Sequence, residues 1–381
     1  MYAPDFRSSC DFPITTMELK RRPFIKTALG ASLATVSAAT GESPPAGKKL
    51  GWALVGLGSL SANQIAPALL KSKHSQLAAV VTGTPEKGVK WREKYGLAGD
   101  KVYSYENFDK IAGDPSVDVV YIVLPNSMHH EFTLRAAKAG KHVFCEKPMA
   151  NTAAECREMI AACEAAERLL GIGYRCQFEP HHREAMRFAR EQVFGPLKHI
   201  DAGFGFAIGD PKQWRLRKAL AGGGALMDVG VYALQACRYL SGEEPVEVTA
   251  LETKTDAVKF AEVDETITWS MKFPSGMTAN CLTTYRFNGR EDFTAYATKG
   301  RFGMKPCYGY TNHTGWTSDA KIPLSFPQTD HFVSEMDAFS LAILEGKPFE
   351  PSGTDGLHDL LVVEAIYKSI ASGKKEVVEK A

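Results

Sequence analysis

Residues 51–61 read Gly-Trp-Ala-Leu-Val-Gly-Leu-Gly-Ser-Leu-Ser. An apolar run ending at Leu54-Val55 passes into Gly56-Leu57-Gly58-Ser59-Leu60-Ser61, and a helical stretch follows to about Lys73. Gly56 and Gly58 take the first two places of a G-x-G-x-x-G fingerprint. The first glycine permits the tight turn, and the second lets backbone approach a pyrophosphate seated on the helix N-terminus. Ser61 replaces the third glycine and is still small enough for close helix–strand packing. A lone Gly-x-Gly is often only a turn; here it follows an apolar strand and opens a repeating series.

Outward from this loop, strand and helix alternate. Buried strands are expected at residues 76–82, 117–124 and 142–145, and the last strand of the series ends in Ile172-Gly173-Tyr174-Arg175. That alternation implies a parallel, doubly wound sheet, whose near-continuous apolar strands fit burial on both faces. Beyond residue 245 the pattern changes. Segments 246–253, 265–273, 278–285 and 293–298 alternate apolar and polar residues, and helical patterns return at about 332–344 and 356–371. The expected fold is α/β: an N-terminal Rossmann domain, then an α+β domain with a large, mostly antiparallel, open-faced sheet. At 381 residues the chain exceeds the roughly 250–300 at which one core stops growing.

The end of the second strand selects the cofactor. NAD-binding domains usually carry Asp or Glu there for the ribose 2′-hydroxyl. This chain has Thr82-Gly83-Thr84 and then Lys87. Without the acid, hydroxyls and an ammonium are free to bind a 2′-phosphate, so NADP is favoured.

Three more strand ends carry polar groups. Cys145-Glu146-Lys147-Pro148 ends the last strong strand, where ligands of open α/β sheets bind, and this sets Lys147 at the cleft. After Leu124-Pro125 comes Asn126, then His129 and His130; either histidine caps the next helix or lines the cleft. Trp214-Arg215 precedes Gly222-Gly223-Gly224, and a helix at about 225–240 carries Asp228 and Tyr232. Four residues apart, these two share a helical face. Tyrosine, aspartate and lysine together suit proton transfer at a hydroxyl–carbonyl carbon, the ammonium drawing the phenol below its usual value near 10.

Composition sets bounds. Hydrophobic residues make up 44% and charged residues 23%, with a net charge of +1. A basic patch for nucleic acid or a membrane surface is not evident. None of the eight cysteines forms a C-x-x-C pair, so neither a zinc site nor a redox dithiol is indicated, and buried free thiols are expected. Cys156 and Cys163 fall near one face of an expected helix.

At the N-terminus, Lys20-Arg21-Arg22-Pro23-Phe24-Ile25-Lys26 precedes a short Ala-rich run and a Pro/Gly linker at 42–49. That layout resembles a twin-arginine export signal, implying the periplasm, and the run is too short for a membrane anchor. The expected division is residues 1–49, signal and linker; 50–173, NADP-binding domain; and 174–381, substrate-binding and oligomerisation domain.

Glu146-Lys147-Pro148 and Asp228-Val229-Gly230-Val231-Tyr232, on this domain order, resemble the Gfo/Idh/MocA oxidoreductases. Residues 121–128, 140–149, 173–176, 214–232 and 239–246 are closer still to the glucose–fructose and aldose–aldose oxidoreductases. Many members carry histidine where this chain has Tyr232. The resemblance implies tightly held NADP, oxidation of one sugar at C1 to a lactone, and reduction of a second sugar. It implies catalytic roles for Lys147, Asp228 and Tyr232, with Tyr174 beside the nicotinamide and Thr82 and Lys87 on the 2′-phosphate. Arg175, Trp214 and Arg215 are implied contacts of cofactor or sugar. The expected cofactor contacts are completed by Gly56, Gly58, Ser59, Leu60, Gly83, Leu124, Asn126, His129, Glu146 and Lys147. The expected sugar contacts are Lys147, Tyr174, Arg175, Asp228 and Tyr232. The linker at 42–49 is shorter than the family's proline-rich arm, so a homodimer through the open sheets is expected ahead of a tetramer. A dehydrogenase that exchanges NADP freely and a non-catalytic NADP sensor are the rival readings.

Overall fold

The computed structural model describes residues 47–381. The export-signal reading therefore lies outside the described residues, apart from the last three residues of the linker.

Six strands build the first sheet: β1 (Leu50–Val55), β2 (Ser75–Val81), β3 (Val102–Tyr103), β4 (Val119–Ile122), β5 (His142–Glu146) and β6 (Leu170–Gly173). Their order is β3-β2-β1-β4-β5-β6 and every pair is parallel, the dinucleotide-binding arrangement. Helices α1 (Ala66–Lys71), α2 (Pro85–Tyr95), α3 (His129–Lys138) and α4 (Ala153–Ala165) make four of the five crossovers, and a 3-10 segment, Phe108–Gly113, makes the one from β3 to β4. All six residues of β1 are buried, as its unbroken apolar run requires. Thr152 and Glu155 form a reciprocal capping box at the start of α4, which fixes where that helix begins.

The second half contributes α5 (Pro180–Arg190), β7 (Leu197–Gly205), α6 (Lys218–Ala221), α7 (Val231–Ser241), β8 (Glu247–Thr253), β9 (Thr266–Lys272), β10 (Thr278–Thr284), β11 (Arg290–Ala297), β12 (Gly300–Met304) and β13 (Gly315–Thr317). It closes with α8 (His331–Glu345), α9 (Gly353–Ser372) and β14 (Glu376–Val377). The second sheet runs β13-β12-β11-β7-β10-β9-β8-β14 and is antiparallel except for the β7–β10 pair. In β9, Ile267, Trp269 and Met271 point inward while Thr268, Ser270 and Lys272 point out, the period-2 alternation of a half-solvated sheet. Nothing in the described residues covers the outer face. There Leu251 is 65% exposed, beside the edge of an open groove that also contains Phe287 and Arg290.

β7 is the central strand, and the sequence pattern does not announce it. Gly203 and Gly205 sit inside it, where a side chain at either would collide with Arg290 or Thr284. Glycine in a strand lowers its propensity and marks close approach, so the same residues that fit β7 here also disguise it. The short strands β3, β12, β13 and β14 are likewise additions to the expected set.

α8 crosses back onto the first sheet. Its Phe339 meets Trp52 of β1 at 5.8 Å and Phe144 of β5 at 5.0 Å. Trp52 is fully buried and its indole N–H donates to Ser340 at 3.0 Å. Asp337 of α8 accepts from the backbone N–H groups of Lys73 and His74. The seven described cysteines are buried and free. Among the described residues no helix is long and apolar enough to cross a membrane.

Candidate active site

The carboxyl ends of the parallel strands open into one cavity of about 820 Å³. The first sheet supplies Gly56–Leu60 after β1, Thr82, Gly83, Thr84 and Lys87 after β2, Leu124 and Asn126 after β4, and Glu146-Lys147 at the end of β5. The second half supplies Phe204, Trp214, Arg215, Asp228, Tyr232, Tyr308 and Tyr310. Two domains thus meet over the strand ends, where open α/β sheets take their ligands.

The glycine loop has the shape that a dinucleotide needs. Gly56 has φ +92°, and a Cβ there would strike the Val123 carbonyl at 2.3 Å. A Cβ on Gly58 would meet nothing within 4 Å, so backbone faces open space at the point of pyrophosphate approach. Ser61 does more than fill the third glycine's place: its hydroxyl donates to the Gly56 carbonyl at 2.5 Å and pins the turn. The charge of the lining also suits an anion. Lys87, Lys147, Arg175 and Arg215 are opposed only by Glu146 and Asp228. These residues fit a nicotinamide dinucleotide.

At the other end lie the groups suited to proton transfer. Asp228 sits in a π-helical turn, Leu226–Gly230, that runs into α7; such turns recur at functional sites. Its carboxylate accepts from the Tyr285 hydroxyl at 2.8 Å, pairs with Arg215 at 3.0 Å and lies 3.7 Å from the Lys147 ammonium. Burial alone would raise this carboxyl, but Arg215 and then Lys147 outweigh it and hold Asp228 below the usual range. Lys147 also donates to the Asp228 carbonyl at 2.7 Å, which ties the β5 end to the turn before α7.

Tyr232 differs from expectation. The Lys147 ammonium lies over its ring, 4.7 Å from the centroid, while the hydroxyl accepts from the Arg175 guanidinium at 3.1 Å. Burial pushes the phenol above its ordinary value, with Arg175 as the largest opposing influence. The expected fall in its pKa under Lys147 is therefore corrected: desolvation wins, and the cation at the oxygen is Arg175. Burial thus favours the protonated form of Tyr232.

Two expected contacts do not line the cavity. His129 is wholly buried, with Nδ1 2.9 Å from the Pro148 carbonyl and Nε2 2.9 Å from the Leu124 carbonyl. It fastens the β4 and β5 loops together behind the site. Tyr174 turns away, its hydroxyl donating to Asp359 of α9 at 2.6 Å, and it borders only a small void behind Lys147 and Tyr232. His129 is turned aside by carbonyls of the two neighbouring strand-end loops, Tyr174 by a carboxylate far along the chain. Glu146 reaches the cavity and accepts from the Tyr121 hydroxyl at 2.6 Å; burial raises its carboxyl against that bond and against Lys147. Sequence reasoning missed Tyr105, Phe204, Phe206, Tyr308, Tyr310 and Phe332 in the lining and Tyr285 behind Asp228. The aromatic–Gly–aromatic run Phe204-Gly205-Phe206 was the one available signal for part of this set.

Comparison with known proteins agrees with this geometry. Residues 50–174 match the Gfo/Idh/MocA model described as an oxidoreductase family with an NAD-binding Rossmann fold, and residues 182–303 match the Gfo/Idh/MocA C-terminal domain. The crystal structure of an aldose–aldose oxidoreductase from Caulobacter crescentus, complexed with glycerol, is 45% identical with a TM-score of 0.84. That match covers 87% of this chain and 100% of the other. The D-xylose 1-dehydrogenase [NADP(+)] of Haloarcula marismortui is 27% identical over 335 residues, 84% of this chain and 90% of that protein. The 1,5-anhydro-D-fructose reductase of Ensifer adhaerens is 27% identical over 339 residues, 86% and 98% of the two chains. With both domains matched in order, this chain belongs to the Gfo/Idh/MocA oxidoreductase family.

Proposed function

We propose that the protein is an NADP-dependent sugar oxidoreductase that retains its cofactor, oxidises an aldose at C1 to the lactone and reduces a second sugar to a polyol. The observation that carries this reading is the meeting of Lys147, Asp228 and Tyr232 in the same cavity as the Gly56–Leu60 loop and Thr82. The likeness to an aldose–aldose oxidoreductase supports the sugar as substrate. NADP, when bound, takes up or returns the electron pair of the sugar C1–H bond. The chain's own groups handle the rest. Tyr232 exchanges a proton with the sugar oxygen, Lys147 holds positive charge against that centre, and Asp228 fixes Lys147 and Arg215. Thr82 in place of an acid at the end of β2, with Thr82 and Lys87 lining the cavity, supports the 2′-phosphorylated cofactor.

Cofactor retention follows from the proposed location. Arg21-Arg22 reads as a twin-arginine signal, and an exported enzyme has no cytoplasmic NADPH to draw on. One sugar must then restore what the other consumed, so the lactone leaves before the second sugar enters, which is ping-pong kinetics. A homodimer through the uncovered face of the second sheet is the proposed assembly. The test is incubation of purified enzyme with an aldose, alone and with fructose, and with no added cofactor. Lactone or aldonate and polyol should appear in equal amounts. Oxidation that proceeds only with free NADP, and yields no polyol, would leave an ordinary dehydrogenase.

A further inference from the structure

Arg175 opens the short helix after β6 and is 5% exposed. Its hydrogen-bond partners are uncharged: the Tyr308 carbonyl, the Gly309 carbonyl at 2.8 Å, the Tyr232 hydroxyl at 3.1 Å, His331 Nε2 at 3.3 Å and the Cys176 sulfur at 3.8 Å. Burial beside this cation pushes His331 down to about 2, so the imidazole is neutral. The rings of Tyr232 and Tyr310 lie 5.1 and 4.8 Å from the guanidinium carbon. A buried charge is normally held by an opposite charge. Here a cation is kept buried on carbonyls and aromatic faces, with one N–H aimed at the tyrosine oxygen.

That arrangement changes character when Tyr232 gives up its proton. The bond at 3.1 Å, from a cation to a neutral hydroxyl, becomes an ion pair with a phenolate, favouring the state that accepts a proton from the sugar hydroxyl. Lys147, lying over the ring, does not reach that oxygen in the same way. The other arms of the fork hold Tyr308-Gly309 and so set the loop carrying Tyr310 at the cavity wall.

We propose that Arg175 is the positioning residue of the proton-transfer step, tuning the Tyr232 hydroxyl with one arm and clamping the Tyr308–Tyr310 loop over the sugar with the others. This rests on the reading that Tyr232 moves the proton. The remaining groups facing Tyr232 are Lys147 and Glu146 from the β5 loop, Cys176 beside Arg175, Asp228 on its own helical run and Tyr310 across the cavity. Arg215 bears on it through Asp228, and His331 and Glu335 stand behind Arg175 on α8. None of these groups is substituted in the variants below.

The experiment follows sugar oxidation in single turnover by NADP-loaded enzyme, across pH, in wild type, Arg175→Met and Arg175→Lys. Losing the cation should move the half-maximal point of the Arg175→Met profile to higher pH by about 1–3 units. Arg175→Lys should keep that point near the wild-type pH while raising KM for sugar, because one ammonium replaces a fork. A Met profile that superimposes on wild type after scaling, or a Lys variant with wild-type KM, overturns the proposal. Should Arg175→Met fail to fold, Arg175→Lys decides alone: a half-maximal point displaced from wild type also overturns it. Tyr232→Phe run in parallel separates the two readings, since undiminished turnover there sinks the tyrosine itself, whatever Arg175 does.

Discussion

Replacing Tyr232 by phenylalanine deletes one oxygen from a side chain whose packing the ring alone supports. Phe204 meets that ring at 5.4 Å and Tyr308 at 5.7 Å, while Lys147 rests over its face; none of these contacts needs the hydroxyl. What disappears is the 3.1 Å bond from Arg175. The guanidinium keeps the Tyr308 and Gly309 carbonyls, so it is not stranded. The stability cost is then that of one hydrogen bond, about 1 kcal/mol. For domains of 150–250 residues that moves the melting point by about 2–4 °C. The kinetic cost is far larger. General acid–base catalysis contributes about 10²–10⁴-fold, or about 3–5 kcal/mol at roughly 1.4 kcal/mol per decade. The assay is turnover on aldose, with a thermal melt and the nicotinamide absorbance of the same preparation. A large loss of turnover with folding and cofactor content intact supports the role. Turnover within a few-fold of wild type would refute it and move the proton to Asp228 or a water.

Lys87→Ala should reduce NADP affinity by about one to two decades while leaving NAD affinity almost unchanged, since a charge-assisted hydrogen bond is worth about 1.5–3 kcal/mol; titration with both cofactors measures this, and an unaltered preference moves the 2′-phosphate site elsewhere. Arg238→Ala should destabilise the fold by about 3–5 kcal/mol, because its buried guanidinium joins Glu244, Asp355 and Asp359 and its loss strands the fully buried Asp359; denaturant melts check it. Asp228 is held below its ordinary 3.8, so its ionisation stabilises the fold above that pH and the benefit is lost as pH falls through the lowered value. The melting difference between wild type and Asp228→Asn should therefore narrow in strong acid, and a gap that widens there contradicts the sign. Changing Arg21 and Arg22 to lysine should keep the protein out of the periplasm; export of that variant would end the signal reading.

The parts of the fold that a local pattern specifies were legible in the sequence. A strand buried on both faces reads as an apolar run, and the glycine loop after β1 has a fixed geometric purpose, so the first sheet and its ligand edge could be placed from Leu54 to Lys147. β7 escaped because its fit depends on neighbours absent from its own sequence: Gly203 is required by Arg290 and Gly205 by Thr284. Among site residues, those on strand ends or on one helical face were found. His129 and Tyr174 also stood beside strand ends, yet the carbonyls of Leu124 and Pro148 and the carboxylate of Asp359 draw them out of the cavity. The Asp359 contact spans 185 residues of sequence, and spacing carries no trace of it.

The same limit explains why the cation at Tyr232 was misread. Lysine and tyrosine in one cleft suggest an ammonium on a phenol, and the chain does bring them together. Which atom faces which is settled by geometry: Lys147 is drawn towards the Asp228 carbonyl at 2.7 Å, and this leaves its charge over the ring. Arg175 comes to the oxygen because its fork is fixed from the far side by Tyr308 and Gly309, some 133 residues away. Two cations therefore act on one tyrosine in different ways. One lies over the π face, where it attracts the ring whether or not the hydroxyl is ionised. The other meets the oxygen, where its attraction grows once the proton has left. Both contacts favour the phenolate, but the one at the oxygen, where the charge is concentrated, distinguishes the two protonation states more strongly, and on the proposed mechanism it is this contact that offsets most of the cost of desolvating the phenolate.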